Sequence, residues 1–233
     1  MTVASQASRP TTVPALRPSE YTAALIQALQ AHRDRVRGAR VLEIGSGSGI
    51  VLAALGAMGA AALCGVDIEP DAIAASCRLL GELGLRASAE LHCGDMWLPV
   101  GGRRFDLIVA NLPHFPMQPV PVAGRLATWS SGGADGRWLL DRFLMGLPAH
   151  LEPDGRAVLT HNAFIGLDRS RAMARDHGLS LRVLLTFWVY IAEEKIACMT
   201  PRVLRAEEGR SLHRYGPHTI GEMHIVEIGT ATT

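Results

Sequence analysis

Lysine is nearly missing from this chain: of its 23 basic residues only Lys195 is not an arginine. With 22 acids the net charge is +1, so no global field draws the molecule to nucleic acid or to an anionic membrane. The arginine excess reads as a matter of composition rather than of phosphate binding. Its two clusters, Arg33/Arg35/Arg37/Arg40 and Arg169/Arg171/Arg175, are interrupted by acids and read as solvated helix faces. Aromatic residues make up 5% of the chain, and no aromatic-basic pattern of an RNA-binding module occurs. The four cysteines, Cys64, Cys77, Cys93 and Cys198, form no C-x-x-C pair and no metal-ligand spacing. They read as free buried thiols in a reducing compartment, with no metal expected. No run reaches the ~20 apolar residues of a membrane span, and the Ser/Thr/Ala/Pro-rich N-terminus lacks a secretory apolar core. A soluble, cytoplasmic protein without membrane association is expected. At 233 residues and 48% hydrophobic content, the chain can bury one full core as a single domain.

What is present is concentrated in Val41-Leu42-Glu43-Ile44-Gly45-Ser46-Gly47-Ser48-Gly49-Ile50. A buried strand leads into an acid, three glycines at alternate positions, and an apolar helix beginning near Ile50. The glycines allow a sharp turn and the close approach of a ligand. A dinucleotide requires G-x-G-x-x-G, so that its pyrophosphate meets the helix N-terminus. Here the third glycine, Gly49, comes one residue early and Ile50 fills the required place. Glu43 suits a cationic ammonium better than a pyrophosphate. The spacing therefore favours S-adenosyl-L-methionine over NAD.

Further elements follow in order. Residues 1–15 have the composition of a disordered lead-in, and 16–233 form one domain. Ser19 is a good N-cap for a helix with Tyr21, Leu25, Ile26 and Leu29 on one stripe, ended by Gly38 before a strand at 40–45. A second strand at 62–67 ends in Asp67, about 20 residues past the turn, where a carboxylate can accept both hydroxyls of a ribose. The next helix begins at Pro70, with Ile73, Ala74, Cys77, Leu80 and Leu83 on one face. Strand three, 89–93, leads to Asp95, an acid placed to read an adenine edge. Strand four, 105–110, is the nearly continuous apolar run of a central parallel strand and stops at Asn111-Leu112-Pro113-His114-Phe115-Pro116. Ligands of open parallel sheets bind outside the carboxyl ends of the strands. Glu43, Asp67, Asp95 and Asn111 all fall at such ends. A proline- and glycine-rich loop spans 117–136; a helix at 137–149, a strand at 156–161 and a helix at 168–177 follow. Strands at 181–191 and 223–228 close the sheet. The stretch 192–222 between them, a possible insertion and a possible dimer contact, is long for a hairpin loop and carries mixed charge.

LEIGSGSG, VDIEPDAI, GDMW and FDLIVANLPHF resemble, in order and spacing, the class I S-adenosylmethionine-dependent methyltransferases. RPSEYTAAL and SGGADGRWLLDRFL are similar to segments of their amino-methylating branch, which includes the release-factor glutamine (HemK-like) methyltransferases. The resemblance covers about residues 16–165. It implies a Rossmann-like, doubly wound α/β fold with a seven-stranded, mostly parallel sheet and an antiparallel last strand. It implies a methyl donor bound at Glu43, Gly45, Gly47, Asp67 and Asp95, and the expected donor site also includes Gly49, Ile68, Met96 and Asn111. The branch has Asn-Pro-Pro and an aromatic residue where this chain has Asn111-Leu112-Pro113-His114. The Asn side-chain oxygen and the carbonyl of the following Leu112 would accept hydrogen bonds from a planar N–H acceptor, so that catalysis is mainly positioning. His114 would stack on the acceptor, take a proton near its ordinary pKa, or only pack. Phe115, Trp129, Trp138, Trp188 and Tyr190 are candidates for an aromatic acceptor wall, core packing being the alternative for all but Trp129. His161, at the end of the fifth strand, is a further acceptor-site candidate. The expected activity is N-methylation of a planar amide, amine or heterocycle on a small molecule or protein, by a monomer or homodimer. The rivals are a nucleic-acid amine methyltransferase, which requires a basic rim, and a donor-binding partner subunit that does not catalyse.

Overall fold

The structure, a computed structural model, describes residues 18–118 and 130–230; the lead-in at 1–15 lies outside the described residues. Apolar strand sequences alternate with helical ones through its first two thirds, which gives α1 (Glu20–Ala31), β1 (Arg40–Ile44), α2 (Ile50–Ala57), β2 (Ala62–Asp67), α3 (Pro70–Glu82), β3 (Ala89–Cys93) and β4 (Phe105–Ala110). The chain continues as α4 (Trp138–His150), β5 (Leu151–Asn162), α5 (Leu167–Asp176), β6 (Leu179–Ile191), α6 (Glu193–Cys198), α7 (Pro201–Glu207), β7 (Leu212–Tyr215) and β8 (His218–Thr230).

The strands lie in the order β3-β2-β1-β4-β5-β8-β6, with β1 to β5 parallel and β8 antiparallel to both β5 and β6. That path is the expected seven-stranded sheet. The short β7 pairs with β8 off the path and makes eight strands in all. One core lies between the sheet and α1 to α3, built on Leu25, Leu29, Leu52, Leu55, Leu80, Val41, Val109 and Ile225. The other lies between the sheet and α4 and α5, built on Phe143, Leu147, Ala174, Leu42, Ile108 and Leu159. Helices on both faces are what hydrophobic, nearly continuous parallel strands require.

Three expectations change. The first helix ends at Ala31, before a 3-10 turn at Arg33–Arg35, rather than running to Gly38. The buried face of α3 is Ala72, Ser76 and Leu80, while Ala74 and Leu83 are exposed. Small residues are needed on that face because the glycine turn presses on it: Ser76 donates to the Gly47 carbonyl at 3.1 Å. The stretch 192–222 is no loop but α6, α7, β7 and the start of β8. It holds down the chain after β4. Met117 bridges Met199, Thr200 N–H donates to the Pro116 carbonyl at 2.6 Å, and Thr200 Oγ1 donates to the Ala134 carbonyl at 2.7 Å. The closing strand is anchored by Glu227, a buried carboxylate that accepts from Arg35 and Arg182 at 2.8 Å and from Arg156 at 3.3 Å.

Gly49 is the N-cap of α2 at φ +80°, and a Cβ there would lie 2.9 Å from the Ser76 Cα. Left-handed backbone and the clash with α3 act together. Gly49→Ala should therefore lower stability by roughly 2–4 kcal/mol. Chemical denaturation followed by circular dichroism measures this, and an unchanged midpoint refutes the packing role of Gly49.

Candidate active site

At the carboxyl ends of β1, β2 and β4 a cavity of about 680 Å³ opens, within the range of small-molecule sites. It is lined by Glu43, Gly45, Ser46, Gly47, Asp67, Ile68, Asp95, Met96, Asn111 and Leu112, together with Thr22 and with Trp138 and Arg142 of α4. Eight of the nine residues assigned to the donor site by the sequence reading are thus brought together. The ninth, Gly49, is turned toward α3 instead.

The glycine turn is drawn shut by Asp67. One of its oxygens accepts the Gly47 amide at 2.8 Å and the other the Glu69 amide at 3.0 Å. Gly45 and Gly47 have φ of +77° and +52°, and a Cβ on Gly47 would meet nothing within 4 Å, so the turn leaves open space beside the cavity. Glu43 is 2% exposed, and its Oε2 has no hydrogen-bond partner among the described residues. Burial, and then the neighbouring Asp67 charge, push its carboxyl well above the usual range, against the Leu52 amide that pulls it down. The Ser46 hydroxyl is likewise buried without a partner among the described residues. Two orphaned polar groups on the wall of a cavity fit a ligand that carries an ammonium group near Glu43.

On the far wall Met96 is the one non-glycine residue at positive φ (+51°) among the described residues. This left-handed kink turns the chain after β3 where Gly94, Asp95 and Met96 line the cavity. Asp95 is ion-paired with Arg142 at 2.6 Å, and the Arg142 guanidinium lies 5.6 Å from the centre of the Trp138 ring. Trp138, 63% exposed, stands at the cavity mouth rather than in the core. Sequence reasoning missed Arg142, Thr22 and Thr160. Thr160 Oγ1 donates to Asn111 Oδ1 at 2.9 Å, and Asn111 Nδ2 donates to Thr22 Oγ1 at 3.3 Å. The signal for Thr160 was strand alternation: β5 continues to Asn162, so Thr160 and Asn162 face the loop after β4 and His161 faces away.

The remaining candidates fall elsewhere. His161 is fully buried on the α5 side, where its Nε2 meets Ser170 Oγ at 2.8 Å and its Nδ1 the Asn162 carbonyl at 2.8 Å. It does not reach the cavity, because a one-residue shift along a strand reverses the face. His114 does not line it either. It is 5% exposed, edge-on to Tyr21 with ring centres 5.8 Å apart and beside Phe115 at 5.9 Å. Burial, with the charges of His161 and Lys195, drives its pKa down to about 3, in place of the near-ordinary value expected. Phe115 is core, between Tyr21 and Phe164, with the Lys195 ammonium 4.0 Å from its ring centre. Trp188 and Tyr190 are exposed on β6 and contact His213 and His218, away from the cavity lining. Trp129 lies outside the described residues.

Of the four cysteines, all free, only Cys64 is buried; Cys93 is exposed. Cys64, Glu90 and His92 place ligand atoms within 4.8 Å of one another across β2 and β3. A cation already serves them: Arg103 donates to Glu90 at 2.8 Å and lies 3.9 Å from the Cys64 sulfur. Burial raises the Cys64 thiol to about 11, and a thiol kept protonated is a poor metal ligand. No helix among the described residues is long and apolar enough to cross a membrane.

The architecture and site can be set beside known proteins. A methyltransferase-domain family model matches residues 41–128. The ribosomal protein uL3 glutamine methyltransferase of Bradyrhizobium diazoefficiens is 37% identical over 126 residues, 51% of this chain and 39% of the relative. The release factor glutamine methyltransferase of Cereibacter sphaeroides is 32% identical over 166 residues, 68% of this chain and 56% of the relative. The chain thus spans less than two thirds of the length of these two. Methyltransferase HEMK2 of Homo sapiens is 37% identical over 147 residues, 59% of this chain and 67% of HEMK2. Among solved structures, the E. cuniculi Mtq2-Trm112 complex, responsible for methylation of the eRF1 translation termination factor, matches with a TM-score of 0.59 at 17% identity. That match covers 94% of this chain and 99% of the other. The ribosomal protein L11 methylase of Lactobacillus delbrueckii matches with a TM-score of 0.53 at 18% identity, over 89% and 79% of the two chains. Together with the glycine turn, its paired acids and the Asn111 loop, the HEMK2 match shows that the chain belongs to the class I S-adenosylmethionine-dependent methyltransferases, in their HemK-like branch.

Proposed function

We propose that this chain transfers the methyl group of S-adenosyl-L-methionine to the side-chain amide nitrogen of a glutamine in a protein. The observation that carries this reading is the placement of Asn111 and Leu112 in the same cavity as Glu43 and Asp67. The relatives named as glutamine methyltransferases of uL3 and of release factors support the acceptor. Glu43 and Ser46 would receive the donor's amino-acid end, Asp67 its ribose, and the kinked segment at Asp95 and Met96 its adenine.

The donor supplies an electrophilic methyl on a sulfonium. The chain supplies position. Asn111 Oδ1 and the Leu112 carbonyl accept the two N–H groups of a primary amide, which holds the nitrogen lone pair toward the methyl. The nitrogen–carbon bond forms as the carbon–sulfur bond breaks. The methylated amide then carries a positive charge and is acidic enough to shed its proton to water. No general base is required, and His114, buried and neutral, packs the loop from behind instead. Among the described residues, and with Glu43 pushed toward its neutral form, the lining sets Asp67, Glu69 and Asp95 against Arg142, an acidic excess that repels a phosphate backbone and disfavours the nucleic-acid reading.

Recombinant bacterial release factor and ribosomal protein uL3, incubated with donor labelled in its methyl group, test the acceptor. Label confined to one glutamine, and lost when that glutamine is replaced, is the expected result; label on neither protein overturns the reading. Asn111→Ala should leave donor affinity near normal and cut turnover by roughly two to four orders of magnitude.

Asp67→Ala should weaken donor binding by roughly 2–4 kcal/mol, about 30- to 1,000-fold, since it removes both the ribose contacts and the bond that closes the glycine turn. Titration calorimetry with S-adenosyl-L-methionine reads this directly. Unchanged affinity in the folded variant would withdraw Asp67 from the donor site.

The pH dependence follows from His114. A folded pKa of about 3 leaves its ring neutral at every pH at which the enzyme works, so turnover should show no limb near 6.5. His114→Phe should keep the packing and the same flat profile. A limb near 6.5 that disappears in this variant would restore His114 as a base.

A further inference from the structure

The amide of Asn111 has two ends of similar size, and only one orientation offers an oxygen to an acceptor's N–H. The surrounding groups select that orientation through a chain of donors and acceptors that begins in the cap of α1. The Ser19 backbone N–H can only donate, and it points to Thr22 Oγ1 at 3.3 Å. The Thr22 hydroxyl oxygen accepts there and keeps a second lone pair, which meets the Asn111 Nδ2 at 3.3 Å. The Ser19 hydroxyl, 3.4 Å away, lies within reach of the Thr22 proton. At the opposite end Thr160, 2% exposed, needs an acceptor for its buried hydroxyl, and Asn111 Oδ1 lies 2.9 Å away. Both ends thus agree. The amide turned the other way would deprive the buried Thr160 hydroxyl of its acceptor, and would draw the Thr22 proton away from Ser19 to the amide oxygen.

We propose that Thr22 and Thr160 are positioning residues that fix the direction of the Asn111 amide and so couple the cap of α1 to methyl transfer. The proposal rests on the N-methyltransferase reading above for its catalytic consequence. An oxygen bonded to Thr160 through one lone pair keeps the other for one acceptor N–H, and the Leu112 carbonyl is left for a second. The clamp therefore selects a primary amide, which has two N–H groups, over a carbonyl or oxyanion acceptor. It also gives the lead-in helix a task beyond packing: it carries the group that sets the polarity of the acceptor site from 89 residues away.

The test uses the full chain and two independent readouts. The first needs no acceptor: the side-chain amide pair of Asn111 in nitrogen-15 NMR spectra, assigned by its loss in Asn111→Ala. In the wild type this pair should be ordered, with one proton shifted by the bond to Thr22. Thr22→Val and Thr160→Val should each release it, and Thr22→Ser and Thr160→Ser should restore it. The second readout is turnover on whichever of the release factor or uL3 the wild type labels. The valine variants should lose roughly 10- to 100-fold in kcat with unchanged donor affinity, and the serine variants should recover most of it. A purely structural role would lower the melting temperature without separating kcat from donor binding and without rescue by serine. An Asn111 amide pair unaffected by both valine changes in folded protein overturns the clamp, as does undiminished kcat. A wild type that labels neither acceptor while its amide pair responds as described overturns the glutamine reading and leaves the clamp standing.

Discussion

Everything at the carboxyl rim depends on the handling of two acids at the ends of neighbouring strands. Glu43 and Asp67 sit on β1 and β2, paired in parallel with Glu43 beside Gly65 and Ile44 beside Val66. Asp67 is satisfied by two backbone amides and needs no ligand to be held. Glu43 is buried, has an orphaned oxygen, and is pushed toward its neutral form by burial and by Asp67. A carboxyl kept in that state without a ligand is an expense in stability, and the arrival of a cation relieves it. The glycine turn follows from the same demand. Its left-handed residues turn the backbone sharply after β1 while Asp67 pins Gly47, and the turn and Glu43 line the same cavity.

That constraint explains why so much of the site could be read from the sequence. An acid followed by alternating glycines has few structural uses, and the strand-end acids Asp67 and Asp95 lie at distances set by one helix and one strand each. The four central strands were legible because they are buried on both faces and read as apolar runs. The limits were equally physical. His161 was assigned to the rim because β5 was taken to stop there; the strand continues to Asn162, and alternation turns the histidine to Ser170. His114 kept the aromatic character expected of the loop but not its exposure, since after Pro113 the chain turns into the Tyr21 and Phe115 cluster. Pairing between distant elements, as in the Thr22 to Asn111 bond, leaves no local pattern to read.

The stretch 192–222 was illegible for a related reason. Its two helices are six and seven residues long, too short for a periodic apolar face to declare itself. What fixes them is tertiary. Ile196 and Met199 are buried, and Lys195 lies over Phe115. The segment after β4 is therefore gripped from two directions, by Ser130 to Gly136 on one side and by Met199 and Thr200 on the other.

Under the proposed function such a grip matters, because a reaction driven by position has no chemical group to compensate for looseness. A misplacement of about 1 Å at the reacting nitrogen is enough to lose two orders of magnitude in rate. The loop that carries Asn111 and Leu112 cannot be rigid by itself: it is a non-helical segment that contains two prolines within six residues. Its backbone is bonded instead to partners that the fold brings from both sides, Asn162 to the His114 carbonyl at 3.1 Å and Phe115 N–H to the Ser130 carbonyl at 3.0 Å. Gly136 packs so close that a Cβ on it would stand 2.8 Å from the His114 carbonyl oxygen. The buried histidine fits the same logic. A neutral ring against Tyr21 fills the space behind the loop and brings no charge to it, so that in the proposed function the replacement of the branch's usual aromatic would keep the loop's position while it changes the residue.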